Sequence, residues 1–314
     1  MAEVWTMGEL LVEIMRPRAD MSLREAGEFL GPYPSGAPAI FIDTVARLGH
    51  GAGIVGGVGN DDFGRCLLDR LRKDGVDCRF VSVVDGLATG VAFVTYRSDG
   101  SRQFIYHIGN TPAGMAKAPE VAGLPAPAYF HVMGCSLLAS EPFRAEILKA
   151  LEAFAARGAK ISFDPNLRVE LLGPRGLETV VQPVLARCAV LQPGVEELLM
   201  LAGQPTIEQA AARLFQNPRL ELIALKRGAK GCTVFTRGGR SFSLGVYPVQ
   251  PVDPTGAGDA FDAAFLCGLL ERRPLEECAK LATAAAALNT AAFGPMEGDI
   301  SPQTVAEMMR RPMA

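Results

Sequence analysis

Apolar residues fall along this chain in two alternating rhythms. Short unbroken runs, at Val4–Met7, 52–58, 128–133, 160–163, 189–191, 222–226 and 233–236, have the length and continuity of strands buried on both faces. Between them lie segments with apolar residues three and four apart, at 39–48, 64–74, 141–157, 175–187, 195–202 and 206–216. That spacing predicts helices with one core-facing stripe. Gly49 and Gly75 stand where the first two should stop. Strand, helix, strand repeated in this way predicts an α/β fold, a mainly parallel sheet with helices on both faces.

Two stretches break the rhythm. One is 9–34, with an apolar run at 10–15 and a loop through Gly31-Pro32-Tyr33-Pro34. The other is 88–108, where runs at 91–96 and 102–108 flank Ser98-Asp99-Gly100-Ser101. The second reads as a hairpin. Together they predict a small sheet lying over the larger one as a lid. No linker divides the chain, so residues 1–314 read as a single domain.

Composition narrows the function. With 49% hydrophobic and 21% charged residues, the chain can build one large core. Its formal net charge of −3 gives no reason to expect nucleic acid or an anionic membrane as partner. No run of about twenty apolar residues occurs. The seven cysteines form no Cys-x-x-Cys pair and read as reduced thiols, which points to the cytoplasm. The first residues carry Glu3, Glu9 and Glu13 without a basic segment, unlike a signal peptide.

The chemistry concentrates at Asp253-Pro254-Thr255-Gly256-Ala257-Gly258-Asp259-Ala260-Phe261-Asp262. Two glycines precede an acid, and a long apolar segment follows. This is a glycine-rich loop opening a buried helix, with Asp259 in the first turn. Main-chain N–H groups of Gly256, Ala257 and Gly258 at such a start suit an anion. A carboxylate there repels the anion, unless it takes a proton from whatever attacks it. A lone Gly-x-Gly-Asp is also ordinary loop and helix-start chemistry. The unbroken row from Pro254 to Phe261 is more specific, and it resembles the signature of the ribokinase-type (PfkB) carbohydrate kinases.

Further segments match that family in order. Gly56-Gly57-Val58-Gly59-Asn60-Asp61-Asp62-Phe63-Gly64 is similar to a stretch near its sugar pocket, and equally to a plain strand-to-helix turn. Asp62 stands where a dinucleotide fingerprint needs glycine, which argues against a dehydrogenase. Ser35-Gly36-Ala37-Pro38-Ala39-Ile40 resembles the sugar-binding loop, with Ser35 for a glycine and Ile40 for an asparagine. Gly8 to Glu13 resembles the first strand, with Glu13 where an Asp grips sugar hydroxyls. Asp164-Pro165-Asn166-Leu167-Arg168 resembles the segment between sugar and phosphates. Gln192-Pro193-Gly194-Val195-Glu196-Glu197 resembles the element that organises Mg²⁺. Leu225-Lys226-Arg227-Gly228-Ala229-Lys230-Gly231 resembles the nucleotide loop, and the alanine-rich 279–293 the wall of the adenine pocket.

The resemblance implies a ribokinase-like three-layer fold with a β-sheet lid, ATP and Mg²⁺ as cofactors, a small sugar as substrate and a homodimer formed through the lid. It implies Asp259 as base with Gly256, Ala257 and Gly258 around the phosphoryl group. Glu13, Gly36, His107, Asn110 and Arg168 would meet the sugar; Lys226, Gly228, Gly231 and Thr255 would meet the nucleotide, and Glu197 the metal. Segments 8–15 and 31–43 look most like tagatose kinases and next like fructokinases, which favours a ketohexose such as D-tagatose. The alternative is 2-keto-3-deoxygluconate, whose carboxylate needs a cation; His107 stands where such kinases place Arg. A sugar-sensing module without catalysis is the alternative from another class.

Overall fold

The computed structural model describes residues 3–99, 101–167 and 176–314. Thirteen strands follow in chain order: β1 (Val4–Met7), β2 (Leu11–Met15), β3 (Leu30–Ser35), β4 (Ala52–Gly59), β5 (Asp77–Val84), β6 (Gly90–Tyr96), β7 (Arg102–His107), β8 (Tyr129–Met133), β9 (Lys160–Asp164), β10 (Cys188–Leu191), β11 (Leu222–Lys226), β12 (Cys232–Thr236) and β13 (Ser241–Leu244). The helices are α1 (Ala37–Arg47), α2 (Asp62–Lys73), α3 (Gly134–Ala139), α4 (Glu141–Ala156), α5 (Leu177–Leu185), α6 (Val195–Ala202), α7 (Ile207–Leu214), α8 (Ala257–Leu270), α9 (Leu275–Thr290) and α10 (Pro302–Met309).

Nine strands form one sheet in the order β13-β12-β11-β10-β9-β8-β1-β4-β5. All neighbours from β11 to β5 run parallel; β12 and β13 close one edge antiparallel. The central strands β1, β4, β8 and β10 are buried along their whole length, which is why they read as continuous apolar runs. Two apolar clusters cover the sheet. One gathers residues of α1, α8, α9 and α10, the other residues of α4, α5 and α7. At Gly268 of α8 an added Cβ would come within 2.9 Å of Cys278 Cα in α9, so glycine lets these two helices touch.

The lid is a four-stranded sheet, β3-β2-β6-β7, with β6 and β7 forming the expected hairpin. Residues 31–34, expected as a loop, lie within β3. That strand is at the sheet edge, where Pro32 and Pro34 cost no interior hydrogen bond. Residues 8–13 are not one strand either: β1 ends at Met7, and Glu13 belongs to β2 of the lid. The alanine-rich helix starts at Leu275, after Pro274 and with Glu276 and Glu277 in its first turn, and stops at Thr290. No helix among the described residues is long and apolar enough to cross a membrane.

Candidate active site

The C-terminal ends of β1, β8, β9, β10 and β11 open on one side of the sheet, facing the lid. A cavity of about 660 Å³ lies there, lined from the sheet by Glu9, Cys135, Asp164, Asn166, Gly194 and Lys226. Open parallel sheets bind ligands at this edge because chain reversals there leave loops and helix starts free.

The glycine-rich loop forms one wall. Gly256 caps α8 with φ of +79°, in the left-handed region. A Cβ there would stand 2.5 Å from Pro295 O, so both backbone and packing demand glycine. Gly258 is different. The nearest atom to an added Cβ is Lys226 Nζ at 3.7 Å, an ordinary contact. The protein itself has room for a side chain at Gly258, and that side chain would fill the cradle at the helix start. Ala257 carries its N–H back to Pro254 O at 3.3 Å, which closes the turn. Asp259 follows in the first turn, only 7% exposed and on the cavity wall. Asn166 Nδ2 donates to its Oδ1 at 3.3 Å.

The loop is held from behind. Buried Asp253 accepts the N–H of Thr255 at 2.9 Å and that of Gly294 at 3.0 Å. Asn289 Nδ2 donates to Thr255 O at 2.6 Å. The hydroxyl of Tyr96, at the end of lid strand β6, donates to Asp253 and meets the hydroxyl of Thr255.

Below the loop, Lys226 departs from its expected role. Its Nζ lies 2.8 Å from both Asp164 Oδ2 and Asp262 Oδ2, so this half-buried, cavity-lining lysine is an ion-pair partner of two carboxylates. Burial pushes Asp262 well above the usual carboxylate range, despite Lys226. Burial also opposes the charge of Asp164, but Lys226 and a hydrogen bond from Asp262 hold it below its ordinary value. Burial thus favours the neutral form of Asp262, and Lys226 the charged form of Asp164. Gln192 Nε2 donates to Asp262 Oδ1 at 2.9 Å, Ser162 Oγ donates to Gln192 Oε1 at 2.8 Å, and Ser162 meets His131 Nδ1 at 3.0 Å. His131 stacks on Phe41 of α1 with ring centroids 3.9 Å apart. This chain of polar side chains was not visible as a motif.

The cavity is also lined by Glu9, Glu13, Ser35, Gly36, Ala37 and Ile40. Gly36 caps α1 at φ of +105°, and a Cβ there would stand 2.5 Å from Glu9 O. Ser35 donates its hydroxyl to Glu13 Oε1 at 2.7 Å. Glu9 takes the Ser136 hydroxyl and the Cys135 thiol. Ser35 and Glu9 are site residues that the sequence reading passed over.

The lid corrects two assignments. Arg102, Phe104, Tyr106 and Ile108 face the cavity from alternate positions of β7 and its extension. His107 has the opposite parity: it packs its ring edge-on to Phe93, is exposed and does not line the cavity. Asn110 is likewise exposed and outside it. Arg168 lies outside the described residues.

On the nucleotide side, Gly228 lines the cavity, with φ of +55°. Gly231 does not; a Cβ there would stand 2.0 Å from Leu244 O, so packing explains it. Glu197 lines the cavity but has both oxygens on main-chain N–H groups, of Gly194 at 2.7 Å and Leu167 at 2.8 Å. Burial, then the charge of Asp164, raises its pKa. No cluster of three or more metal-ligating side chains occurs among the described residues. In the segment 56–64 the glycines answer to packing: Cβ atoms at Gly57, Gly59 and Gly64 would stand 2.4, 2.3 and 2.1 Å from backbone oxygens. Asp61 caps α2 through Gly64 N–H at 2.8 Å.

A family model described as pfkB family carbohydrate kinase matches residues 3–302. Fructokinase-1 of Oryza sativa subsp. japonica is 36% identical over 302 residues, covering 93% of this chain and 92% of its own. An E. coli relative solved in complex with ATP and Mg²⁺ superimposes with a TM-score of 0.93 at 38% identity, over 99% of this chain and 100% of that one. A fructokinase from Vibrio cholerae O395, solved in a fructose-, ADP- and calcium-bound form, gives 0.83 at 26% identity over 99% of both chains.

Proposed function

The chain belongs to the pfkB family of carbohydrate kinases, and from that premise we propose that it transfers the γ-phosphoryl group of ATP to a hydroxyl of a ketohexose. The observation that carries this reading is one cavity lined by Asp259 and Gly258 together with Glu9, Glu13 and Ser35. Carboxylates and a hydroxyl suit a neutral polyol, whose hydroxyl groups donate to them. His107, the lid group at the position where the resemblance expects a carboxylate partner, is exposed and lies outside the cavity. The fructokinases among the relatives support D-fructose, with D-tagatose as its close stereochemical neighbour.

In the reaction the sugar hydroxyl oxygen attacks the γ-phosphorus. Its proton passes to the Asp259 carboxylate, and ADP leaves with the electrons of the broken P–O bond. Asn166 holds Asp259 from the far side of the cavity floor. The start of α8 supplies fixed N–H dipoles to the transferring group. Gly258 keeps that place open. Mg²⁺ bound with ATP would neutralise charge on the β and γ phosphates. Glu197 fits a hydrated ion, since Mg²⁺ retains waters and needs few direct carboxylates. The lid covers the acceptor and keeps water from competing. Seven free thiols, four of them buried, support a reducing cytoplasmic setting.

The test is turnover of ATP with D-fructose, D-tagatose and 2-keto-3-deoxygluconate. A ketohexose should be phosphorylated. Asp259→Asn should keep ATP affinity and lose about 10²–10⁴ in kcat. Near-normal kcat in that variant would remove Asp259 from the mechanism, and turnover of the sugar acid alone would replace the substrate.

A further inference from the structure

Tyr96 and Arg102 are direct cross-strand partners, the last paired rung of the β6–β7 hairpin. Directly opposed residues of an antiparallel pair put their side chains on one face. Here that face meets the glycine-rich loop. Tyr96 is tied to Asp253 and Thr255. Arg102 Nη1 reaches the same Thr255 hydroxyl at 3.5 Å, and its guanidinium lies 5.7 Å from the Phe104 ring centroid. Arg102 also lines the cavity.

Among the described residues, the other cations lining the cavity are Lys226 and Arg227. Lys226 is claimed by Asp164 and Asp262. Arg227 lines the nucleotide side and bonds Thr233 Oγ1 at 3.4 Å. Glu9, Glu13, Glu196, Glu197 and Asp259 all face inward. Among the described residues, no carboxylate lies within ion-pair distance of the Arg102 guanidinium. A cation without a carboxylate, fixed by a neighbouring latch two residues before the start of α8, is placed to meet an anion arriving at that helix.

We propose that Arg102 is a lid-borne catalytic residue that grips the transferring phosphoryl group, with Tyr96 as the positioning residue that docks the hairpin on the loop. The inference rests on the kinase reading. It adds that the lid does more than exclude water: closing the hairpin brings the planar fork of a guanidinium onto phosphoryl oxygens. The bond changes are those of the reaction above; Arg102 forms and breaks none.

The experiment compares the wild type with Arg102→Ala, Arg102→Lys and Tyr96→Phe. Arg102 is exposed on an edge strand, so its truncation should leave the fold intact. Arg102→Ala should lose about 10²–10³ in kcat with the sugar KM within threefold. Arg102→Lys should recover part of the loss, and added ethylguanidinium should partly rescue Arg102→Ala. The same variant should bind Mg²⁺·ADP normally but bind Mg²⁺·ADP with aluminium fluoride, a mimic of the transferring group, at least tenfold more weakly. Tyr96→Phe should reduce kcat less than Arg102→Ala does. Unchanged kcat, a loss confined to the sugar KM, or unchanged aluminium fluoride affinity would each overturn the proposal. Wild-type inactivity on every sugar would defeat the kinase reading instead, and the aluminium fluoride comparison would still decide on Arg102.

Discussion

Gly258→Ala should make this protein slightly more stable and nearly inactive. The two effects come from one methyl group. Gly258 occupies the second position of α8 without a positive φ, so alanine meets no backbone penalty. The added Cβ would lie 3.7 Å from Lys226 Nζ and 3.9 Å from Lys226 Cδ, with nothing closer. Replacing glycine by alanine in a helix is worth up to about 0.5–1 kcal/mol, mostly through the unfolded chain. For a domain of this size that corresponds to a rise of roughly 1–3 °C in Tm. The same methyl group projects into the cradle where, on the proposed mechanism, the phosphoryl group sits. Displacing a charge from a fixed N–H donor costs about 10²–10³ in kcat. Thermal melting and ATP turnover with a ketohexose read the two effects separately. A variant that melts lower, or one that turns over at the wild-type rate, would refute the argument that the space above Gly258 is reserved for an anion.

Lys226→Met should cost about 3–5 kcal/mol at neutral pH, because it leaves Asp164 buried without its counter-charge. In that variant the folded-state pKa of Asp164 lies above its unfolded value, so the penalty grows as pH rises through the carboxylate range and shrinks in acid. Urea unfolding at two pH values checks this, and Lys226→Met with Asp164→Asn should recover much of the loss. His131 is held down to about 3 by burial, against an ordinary value near 6.5. The unfolded chain therefore binds a proton that the folded one refuses, and stability falls with pH across that window, by about 2 kcal/mol between pH 7 and pH 5. His131→Gln should flatten that part of the urea-midpoint profile; an unchanged slope would mean another group sets it.

The parallel sheet was legible because its central strands are buried on both faces and leave an unambiguous apolar run. β5 was missed because it is half-exposed and mixed in composition, and β13 because four residues of Ser-Phe-Ser-Leu alternate too briefly to stand out. The position of Asp259 was legible because glycines, acid and apolar helix are contiguous. Residues that meet only in space were not. Lys226, Asp164 and Asp262 come from β11, β9 and α8, and no spacing joins them. His107 is a different failure. The alternation Arg102, Phe104, Tyr106, Ile108 was present in the sequence, and strict period two would have turned His107 away and brought Arg102 forward.

The network below the loop bears on why an acid can stand beside an anion site. On the proposed mechanism, Asp259 must face a phosphoryl group and still be ready to take a proton. If Asp164 and Asp262 were both ionised, the floor under the cradle would add two negative charges to a cavity already lined by Glu9, Glu13, Glu196 and Glu197. Lys226 offsets charge on both, and burial favours the neutral form of Asp262. At the cradle the floor charge is offset by Lys226, and the positive end of α8 and, on our proposal, Arg102 face the transferring group. On the proposed mechanism, the repulsion from Asp259 is relieved as the sugar hydroxyl gives up its proton to it. If α8 binds phosphate as proposed, the acid in its first turn stands above a floor where Lys226 offsets the charge of Asp164 and Asp262.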